Sequence, residues 1–477
     1  MWRSFLKRKV KPKQYFKSLL SLLKSGDSND KLKIKLVAIA KDEGAYIAEW
    51  VHHHLYFGFD YIDIYVNRTT DNTVRIIEKI RKKYPLVNCY SGDFVDLNSE
   101  SVMKEIQRVI YSISYDKNKD DFTHILYLDI DEFWTPIDFL EDIYTYVRRF
   151  QDKDVISFEW MNKVNESSSF SRVFDSLNYM PSRTIKTLFK TNLTMTQIGI
   201  HNHKFKEDGS LLHVLADGSP FERSAKSYQQ LKKDKAGLKK HFIYHRMYRS
   251  EAEYLALLLR GNPVNNSLLK LNRPGYLGGE GNSSILPINK SLTEKHDRSY
   301  IEFIRKCNIS NDISNAERRV LKKSDRVLNL IPRLGIGNTN NVRKVFSGLT
   351  SKDVLSNIEI MCTKNLDIIF SKGEELDVFK SVLGFNKYYK EFPVLKSIST
   401  AHSRYVLGDF RFVVKDCYDV LDLDKVSQYR SIALEVENDS PIMSLFLIFI
   451  CFKIKPGPMI RKDLKRLEGD CGHSTAL

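Results

Sequence analysis

The chain has 477 residues, with 42% hydrophobic and 12% aromatic residues. This composition excludes a disordered chain and indicates a globular protein large enough for two or three domains. The six cysteines are scattered without a CxxC pair, which favours a reducing, cytoplasmic location over a zinc knuckle or a disulfide framework. The net charge is +16, with a sequence pI near 9.3.

Residues 1–31 form a basic N-terminal segment, because the first 24 residues hold eight Lys or Arg and no acid. Apolar residues from Tyr15 to Leu23 recur at helical spacing, which predicts an amphipathic helix on an anionic membrane surface. A solvated basic extension is the alternative. No nucleic-acid-binding motif accompanies the charge, so no nucleic-acid partner is expected. The longest apolar run, Met443–Phe452, is shorter than the roughly 20 residues that span a bilayer and predicts a buried helix.

Short apolar runs alternate with helical patterns from residue 32 onward. The predicted strands are Ile34–Ala40, Tyr61–Val66, Val87–Tyr90, His124–Leu128 and Val155–Trp160. The predicted helices are Ala45–Phe57, Thr73–Lys83, Ser101–Ser114 and one near Ile137–Phe150. This alternation predicts an α/β fold with a mostly parallel sheet covered on both faces.

The remainder of the chain divides into three regions. Residues 161–250 are less regular, and Pro and Gly in 263–295 predict a linker or loop. Residues 296–477 predict a helical C-terminal domain. Within it, 401–422 has the helix-turn-helix pattern of a tetratricopeptide-like unit.

Two carboxylates follow the fourth predicted strand. In an extended strand, Asp129 and Asp131 point to the same side. Two like charges so close repel unless a cation lies between them, and Mg²⁺ or Mn²⁺ prefers carboxylate oxygens. Ligands of such sheets bind beyond the carboxyl ends of the strands, where this pair lies.

Several motifs, in this order and spacing, resemble the family 2-like and family 92-like glycosyltransferases. Lys41–Thr73 resembles the start of these enzymes, Leu128–Pro136 resembles their D-x-D-E-F segment, and His241–Gly261 resembles their closing segment. The resemblance covers residues 34–262. It implies the nucleotide-diphosphosugar transferase fold for residues 32–262, which then form the catalytic domain.

The resemblance also implies a set of site residues. Asp131 is expected to bind a divalent metal that carries the donor's diphosphate, and Asp129 to contact the ribose or the metal shell. A late histidine, His203, is a candidate for the same metal. The expected nucleotide-sugar-binding residues are Lys41, Asp42, Glu43, Asn67, Asp71, Asp93, Gln107 and Asp129.

An inverting transfer needs a carboxylate that takes the proton of the acceptor hydroxyl. Glu159 follows the next strand and is the first candidate, with Asp175 and Glu166 as alternatives. Lys186 and Arg183 are candidates for neutralising phosphate, although an ordinary solvated strand explains them equally well. His241 and His245 are weaker metal candidates.

Structural roles remain open for several of these residues. Asp42 or Glu43 would stabilise the positive, N-terminal end of the helix that follows the first strand. Asp71 or Asn72 would be the N-cap of the helix that follows the second strand. His52, His53 and His54 point about 100° apart on a helix and cannot share one ion. His54 lies on the apolar face and is expected to pack in the core.

The sequence therefore predicts a metal-dependent glycosyltransferase that uses Mn²⁺ or Mg²⁺. Its donor is expected to be a nucleoside-diphosphate sugar, of the uridine type, and its acceptor a glycan or lipid-linked glycan. Inversion is expected from the resemblance. The alternative is a non-catalytic, membrane-associated adaptor with a degenerate transferase domain. An aspartyl-phosphate phosphatase is disfavoured because Phe133 stands where a Thr or Val is expected.

Overall fold

The computed structural model describes residues 32–97, 105–206, 209–259, 283–333 and 344–354, a few residues between 269 and 276 and at 356–357, and parts of 426–471. The basic segment 1–31 and the tetratricopeptide-like unit at 401–422 lie outside the described residues. Among the described residues, no helix is both long enough and apolar enough to cross a lipid bilayer.

The secondary structure is labelled in chain order. Strands β1 to β14 are Ile34–Ala40, Tyr61–Val66, Val87–Ser91, His124–Tyr127, Glu132–Pro136, Val155–Lys163, Asn178–Lys190, Met195–Gln197, Lys204–Phe205, His213–Leu215, Arg223–Ser224, Ser227–Leu231, His241–His245 and Ser284–Ile285. Helices α1 to α9 are Ile47–Tyr56, Thr73–Arg81, Ile106–Asn118, Ile143–Arg148, Glu251–Leu258, Lys290–Cys307, Ser310–Leu330, Val426–Glu435 and Pro458–Cys471.

The main sheet has the strand order β3-β2-β1-β4-β7-β6-β13-β5. Strands β3, β2, β1 and β4 are parallel, as the alternation of strands and helices predicts. Strand β7 is antiparallel to both β4 and β6, and β13 is antiparallel to β5. The α/β class is confirmed, but the prediction of a mostly parallel sheet is wrong. The reason is that no helix crosses over between β6 and β7, which therefore pair antiparallel.

Strand β1 shows how the parallel half is buried on both faces. Leu36 and Ala38 pack in a core with residues of α1 and α2, whereas Val37 packs in a second core with residues of α3. Successive side chains of a strand point to opposite faces, so an uninterrupted apolar run is what a doubly covered strand requires.

The three consecutive histidines of α1 are all buried. His52 contacts Ser299 of α6, whereas His53 Nε2 donates to the Trp134 carbonyl on β5, at 2.8 Å. His54 contacts the carbonyl of Trp50, and burial lowers its pKa to about 3. The ring nitrogens of the three histidines thus contact three different partners within the core.

Three regions differ from the sequence predictions. The helix predicted near residues 137–150 is limited to α4, because Glu132–Pro136 forms β5 and pairs with β13. The segment 161–250 contains β7 to β13 rather than irregular structure. The predicted linker 263–295 includes β14 and the beginning of α6, which starts at Lys290.

Helices α6 and α7 pack against the sheet domain. Asp312 of α7 pairs with Lys79 and Arg75 of α2, at 2.6 and 3.0 Å. The carbonyl of Asp312 also accepts a hydrogen bond from Asn72. This connection brings α7 next to the loops that follow β1 and β2.

Candidate functional site

The candidate site lies at the carboxyl edge of the parallel half of the sheet. Strands β1, β2, β3 and β4 are parallel neighbours and end at the same edge. The loops that follow them contain most of the residues predicted to bind nucleotide. These residues are Lys41, Asp42, Glu43, Asn67, Asp71, Asp93 and Asp129.

Asp129 and Asp131 lie in a turn, not in an extended strand. The amide of Glu132 donates to the carbonyl of Asp129, at 3.0 Å, which closes a tight turn between β4 and β5. The expectation that the two carboxylates share one side because they lie in a strand is therefore wrong. Their side chains have different partners.

Asp129 is held by Gln107 and Lys186. The Gln107 amide donates to Asp129 Oδ1 at 2.8 Å, and Lys186 Nζ lies 3.1 Å from Asp129 Oδ2. The side chain of Asp129 remains 35% exposed, so its oxygens are still accessible from solvent. Each carboxylate oxygen has a second lone pair and can accept a further hydrogen bond, for example from a hydroxyl.

Lys186 on β7 is the positive centre of this cluster. Its Nζ is also 3.1 Å from Glu132 Oε2, and the lysine side chain is only 1% exposed. Burial disfavours the charged lysine, but Asp129 and Glu132 outweigh this effect and raise its pKa. Lys186 is therefore a buried structural cation rather than a residue of a solvated strand.

Glu132 is completely buried, and its Oε1 has no partner among the described residues. Its Oε2 accepts from the Asp129 amide at 2.8 Å. Burial, with Asp129 and Asp131 nearby, raises its pKa well above the usual value, against the effect of Lys186. A neutral Glu132 beside an ion pair of Lys186 and Asp129 agrees with both the raised pKa of Glu132 and the raised pKa of Lys186.

Asp131 faces His245 of β13. Asp131 Oδ2 and His245 Nε2 are 3.7 Å apart, too far for a hydrogen bond. His245 Nδ1 is 3.0 Å from Asn162 Oδ1 of β6, and since an amide oxygen only accepts, Nδ1 carries the proton. Nε2 of the same ring faces Asp131.

Positive charge surrounds Asp131. Burial opposes its ionisation, but His245, Arg249 and Arg273 outweigh burial and hold the pKa of Asp131 well below its usual range. The Arg246 amide donates to the Asp131 carbonyl at 2.7 Å, which fixes the backbone of the turn. Asp131 is thus an ionised carboxylate with a 26% exposed side chain.

His203 has packing contacts instead of contacts with the acidic pair. Its ring lies against Phe189 and Tyr127, and its Nδ1 accepts from the Gly199 amide at 3.3 Å. Burial and the nearby Lys186 lower its pKa to about 3. Its role as a metal ligand stays a prediction, but His245 is the histidine whose ring faces Asp131.

The loop after β1 is bound by other parts of the chain. Asp42 Oδ2 is 2.8 Å from Lys323 of α7, and its Oδ1 accepts from the Thr70 amide at 2.6 Å. Burial would raise the pKa of Asp42, but Lys323 and Thr70 outweigh it and lower the pKa to about 2. Glu43 Oε2 lies 3.4 Å from Arg249.

Asp71 organises the loop after β2 through its side-chain hydrogen bonds. Asp71 accepts from the Thr73 amide and from the Gly44 amide, each at 2.9 Å. The N-cap of α2 is Asn72, so the alternative of Asp71 as the N-cap is wrong; Asp71 accepts from the first helical residue from one position earlier. These two bonds join the loops after β1 and β2, so Asp71 contributes to the shape of the site.

Asn67 and Asp93 form a second contact between loops. The Arg68 amide donates to Asp93 Oδ1 at 2.7 Å, and the Asn67 amide group donates to the Gly92 carbonyl at 3.2 Å. The Arg68 side chain pairs with Asp96 and lowers its pKa, with a smaller contribution from Lys41. The predicted residues of β2 and β3 are thus adjacent.

Glu159 has a separate set of contacts. Its Oε2 accepts from the Gly237 amide at 2.8 Å, and its other electrostatic neighbours are Lys239 and Asp217. Burial raises its pKa to about 7, a value that suits a general base. Its described contacts do not include Asp129 or Asp131, and its role as the base stays a prediction.

The residues fit a divalent metal in part. Ligand atoms about 2.0–2.2 Å from one ion lie about 3–4 Å apart, so the 3.7 Å between Asp131 and His245 suits two ligands. Within the described part of the chain, no three His, Cys, Asp or Glu side chains form a metal-binding group. Mg²⁺ commonly takes one or two protein ligands and completes its shell with substrate phosphates and water.

The sequence did not single out Asn162 or Lys323, it named Lys186 only as one of two candidates for neutralising phosphate, and it ranked His245 low. Each of them reaches the site from a strand or helix far along the chain. The alternation of His241–His245 was a usable signal, because strand spacing puts both histidines on one face. No protein-family model matches the sequence, and no curated protein matches it.

Proposed function

We propose that this protein is a metal-dependent glycosyltransferase that moves a sugar from a nucleoside-diphosphate sugar to a glycan or lipid-linked glycan. The observation that carries the proposal is the position of Asp131. It is an ionised, partly exposed carboxylate at the carboxyl edge of the parallel half of the sheet, 3.7 Å from an oriented imidazole.

The polar loops beside Asp131 support a nucleotide ligand. Asp129 retains lone pairs for a ribose hydroxyl, and Asn67 and Asp93 lie together at the ends of β2 and β3. Arg249 and Arg273 lie near Asp131 and supply the positive charge that a diphosphate requires. Uridine as the base and inversion at the anomeric carbon are part of the proposal through the family resemblance.

Asp131 and His245 are the residues that would hold Mn²⁺ or Mg²⁺. A bound metal offsets the charge that develops on the leaving nucleoside diphosphate. The chain's own residues prepare this position. Asn162 fixes the His245 ring, the Arg246 amide fixes the turn, and Lys186 Nζ holds Asp129 Oδ2 at 3.1 Å.

The test is a donor screen with several nucleoside-diphosphate sugars and Mn²⁺, with donor hydrolysis as the readout. Asp131→Ala is expected to abolish hydrolysis and transfer while the protein remains folded. The control is Asp116→Ala, which removes an exposed carboxylate paired with Lys119 on α3. Turnover of Asp131→Ala at the wild-type rate would sink the proposal. If calorimetry detects no donor binding with or without Mn²⁺, the adaptor is the better description.

A further inference from the structure

Helix α7 carries a strongly basic surface that the proposed chemistry does not use. We call it the α7 basic surface, and its residues line a cavity of about 480 Å³. These residues are Asn315, Arg318, Arg319, Lys322, Lys323 and Arg326. The volume is in the range of cavities that bind small ligands.

The cations follow the helical repeat. Arg318, Lys322 and Arg326 are four residues apart, so they lie on one face at intervals of about 6 Å. All three are exposed, and none forms an ion pair with a carboxylate of the described residues. Like charges at this spacing destabilise a helix, and a bound anion offsets that cost.

Packing does not require these cations. The opposite face of α7 buries Ile313, Ala316 and Val327 and holds the helix on the domain. The basic face is therefore available to a ligand.

The α7 basic surface adjoins the candidate site. Arg319 donates to the Thr70 hydroxyl at 2.9 Å, and Lys323 lies 2.8 Å from Asp42. Thr70 and Asp42 belong to the loops at the carboxyl edge of the sheet. A ligand in the cavity consequently lies next to the edge where the donor is proposed to bind.

We propose that the α7 basic surface binds a linear ligand with two or more phosphate groups. The distance from Arg318 to Arg326 is about 12 Å along the helix, longer than one phosphate covers. The guanidinium fork matches phosphate oxygens, and a lysine adds a point charge. The surface is concave, which favours a discrete ligand over a flat membrane. In the proposed transferase this ligand is the acceptor, an assignment that rests on the proposed function.

The test is calorimetry of the full chain with tripolyphosphate, without divalent metal. The triple variant Arg318→Gln/Lys322→Gln/Arg326→Gln is expected to weaken binding by about tenfold or more, because three charge-assisted contacts are lost. The matched control removes three other exposed cations, with Lys82→Gln/Lys83→Gln/Arg305→Gln. It is expected to bind like the wild type, and equal melting temperatures check that both variants fold.

Several results would overturn the proposal. They are absence of tripolyphosphate binding, equal weakening in the control variant, and equally tight binding of a polyglutamate of the same charge. Loss of binding in Arg249→Gln with none in the triple variant would locate the anion at the donor site instead. Binding only to vesicles of equal parts phosphatidylcholine and phosphatidylglycerol would identify a membrane surface. Asp131→Ala should leave tripolyphosphate binding unchanged although it abolishes transfer. A failure of the ligand proposal can therefore be told apart from a failure of the transferase proposal.

Discussion

Replacing Lys186 by methionine removes the ammonium group that lies 3.1 Å from both Asp129 and Glu132. Methionine keeps most of the aliphatic stem, so the change is mainly the loss of a charge and its hydrogen bonds. Glu132 then has no cation beside it and remains completely buried.

The magnitude follows from this burial. Lys186 is 1% exposed and Asp129 is 35% exposed, so removing the ammonium group costs about 1–3 kcal/mol, the cost of leaving buried polar groups without their hydrogen-bond partner. Burial already raises the pKa of Glu132, and loss of Lys186 raises it further. A carboxyl with a raised folded-state pKa stabilises the fold at low pH, and this stability is lost as the pH rises through that pKa. The loss caused by Lys186→Met is therefore expected to be at least as large at pH 8 as at pH 5, and to grow once the pH exceeds the pKa of Glu132 in the wild-type fold.

The assay is urea unfolding followed by circular dichroism at both pH values. The matched control is Lys190→Met, which breaks a partly exposed pair with Asp154 on the same strand. That pair is 22% and 24% exposed, and its loss is expected to cost about 0–1 kcal/mol. Adding Glu132→Gln to Lys186→Met should remove the pH dependence.

Two results would refute this reasoning. One is a loss in Lys186→Met no greater than that in Lys190→Met. The other is a loss that is smaller at pH 8 than at pH 5, because removal of Lys186 can only raise the pKa of Glu132 further.

Other variants test the remaining contacts. Burial raises the pKa of Glu159 from 4.5 to about 7, so wild-type stability should fall by about 3 kcal/mol as the pH rises between these values. Glu159→Gln should lack that fall in urea titrations, and an unchanged pH profile would contradict it. Asn162→Ala should weaken Mn²⁺ binding by about 10–100-fold in calorimetry, because it frees the His245 ring; wild-type affinity would argue against His245 as a ligand. Asp312→Asn should lower the free energy of unfolding by about 1–3 kcal/mol by removing the partner of Lys79, and a neutral effect in denaturation would contradict this.

The sequence predicted the parallel half of the fold closely. The bounds of Ile34–Ala40 and Tyr61–Val66 are confirmed, because both strands are apolar runs that end at polar loops. Strand β5 was missed because it has five residues, and its pairing partner lies more than 100 residues along the chain. Such a short segment has no local signal that separates it from the start of a helix.

The residues of the candidate site were likewise predictable only where the local sequence decides their position. Asn67, Asp93 and Asp129 were predictable because each follows its own strand in sequence, and the parallel sheet brings the strand ends together. Lys186 and His245 were named as candidates, but their places beside Asp129 and Asp131 were not predictable, since these depend on the antiparallel half, whose register no local pattern fixes.

The position of β13 between β6 and β5 affects how the protein is made. Strand β5 pairs only with β13 among the described strands, so it emerges from the ribosome long before its ladder is available. Pairings between distant segments form slowly and leave strand edges open to other chains in the meantime. The pairing of Asp131 with His245 also waits for that strand. A chain that ends before residue 245 would therefore lack the proposed metal site and expose β5 to aggregation.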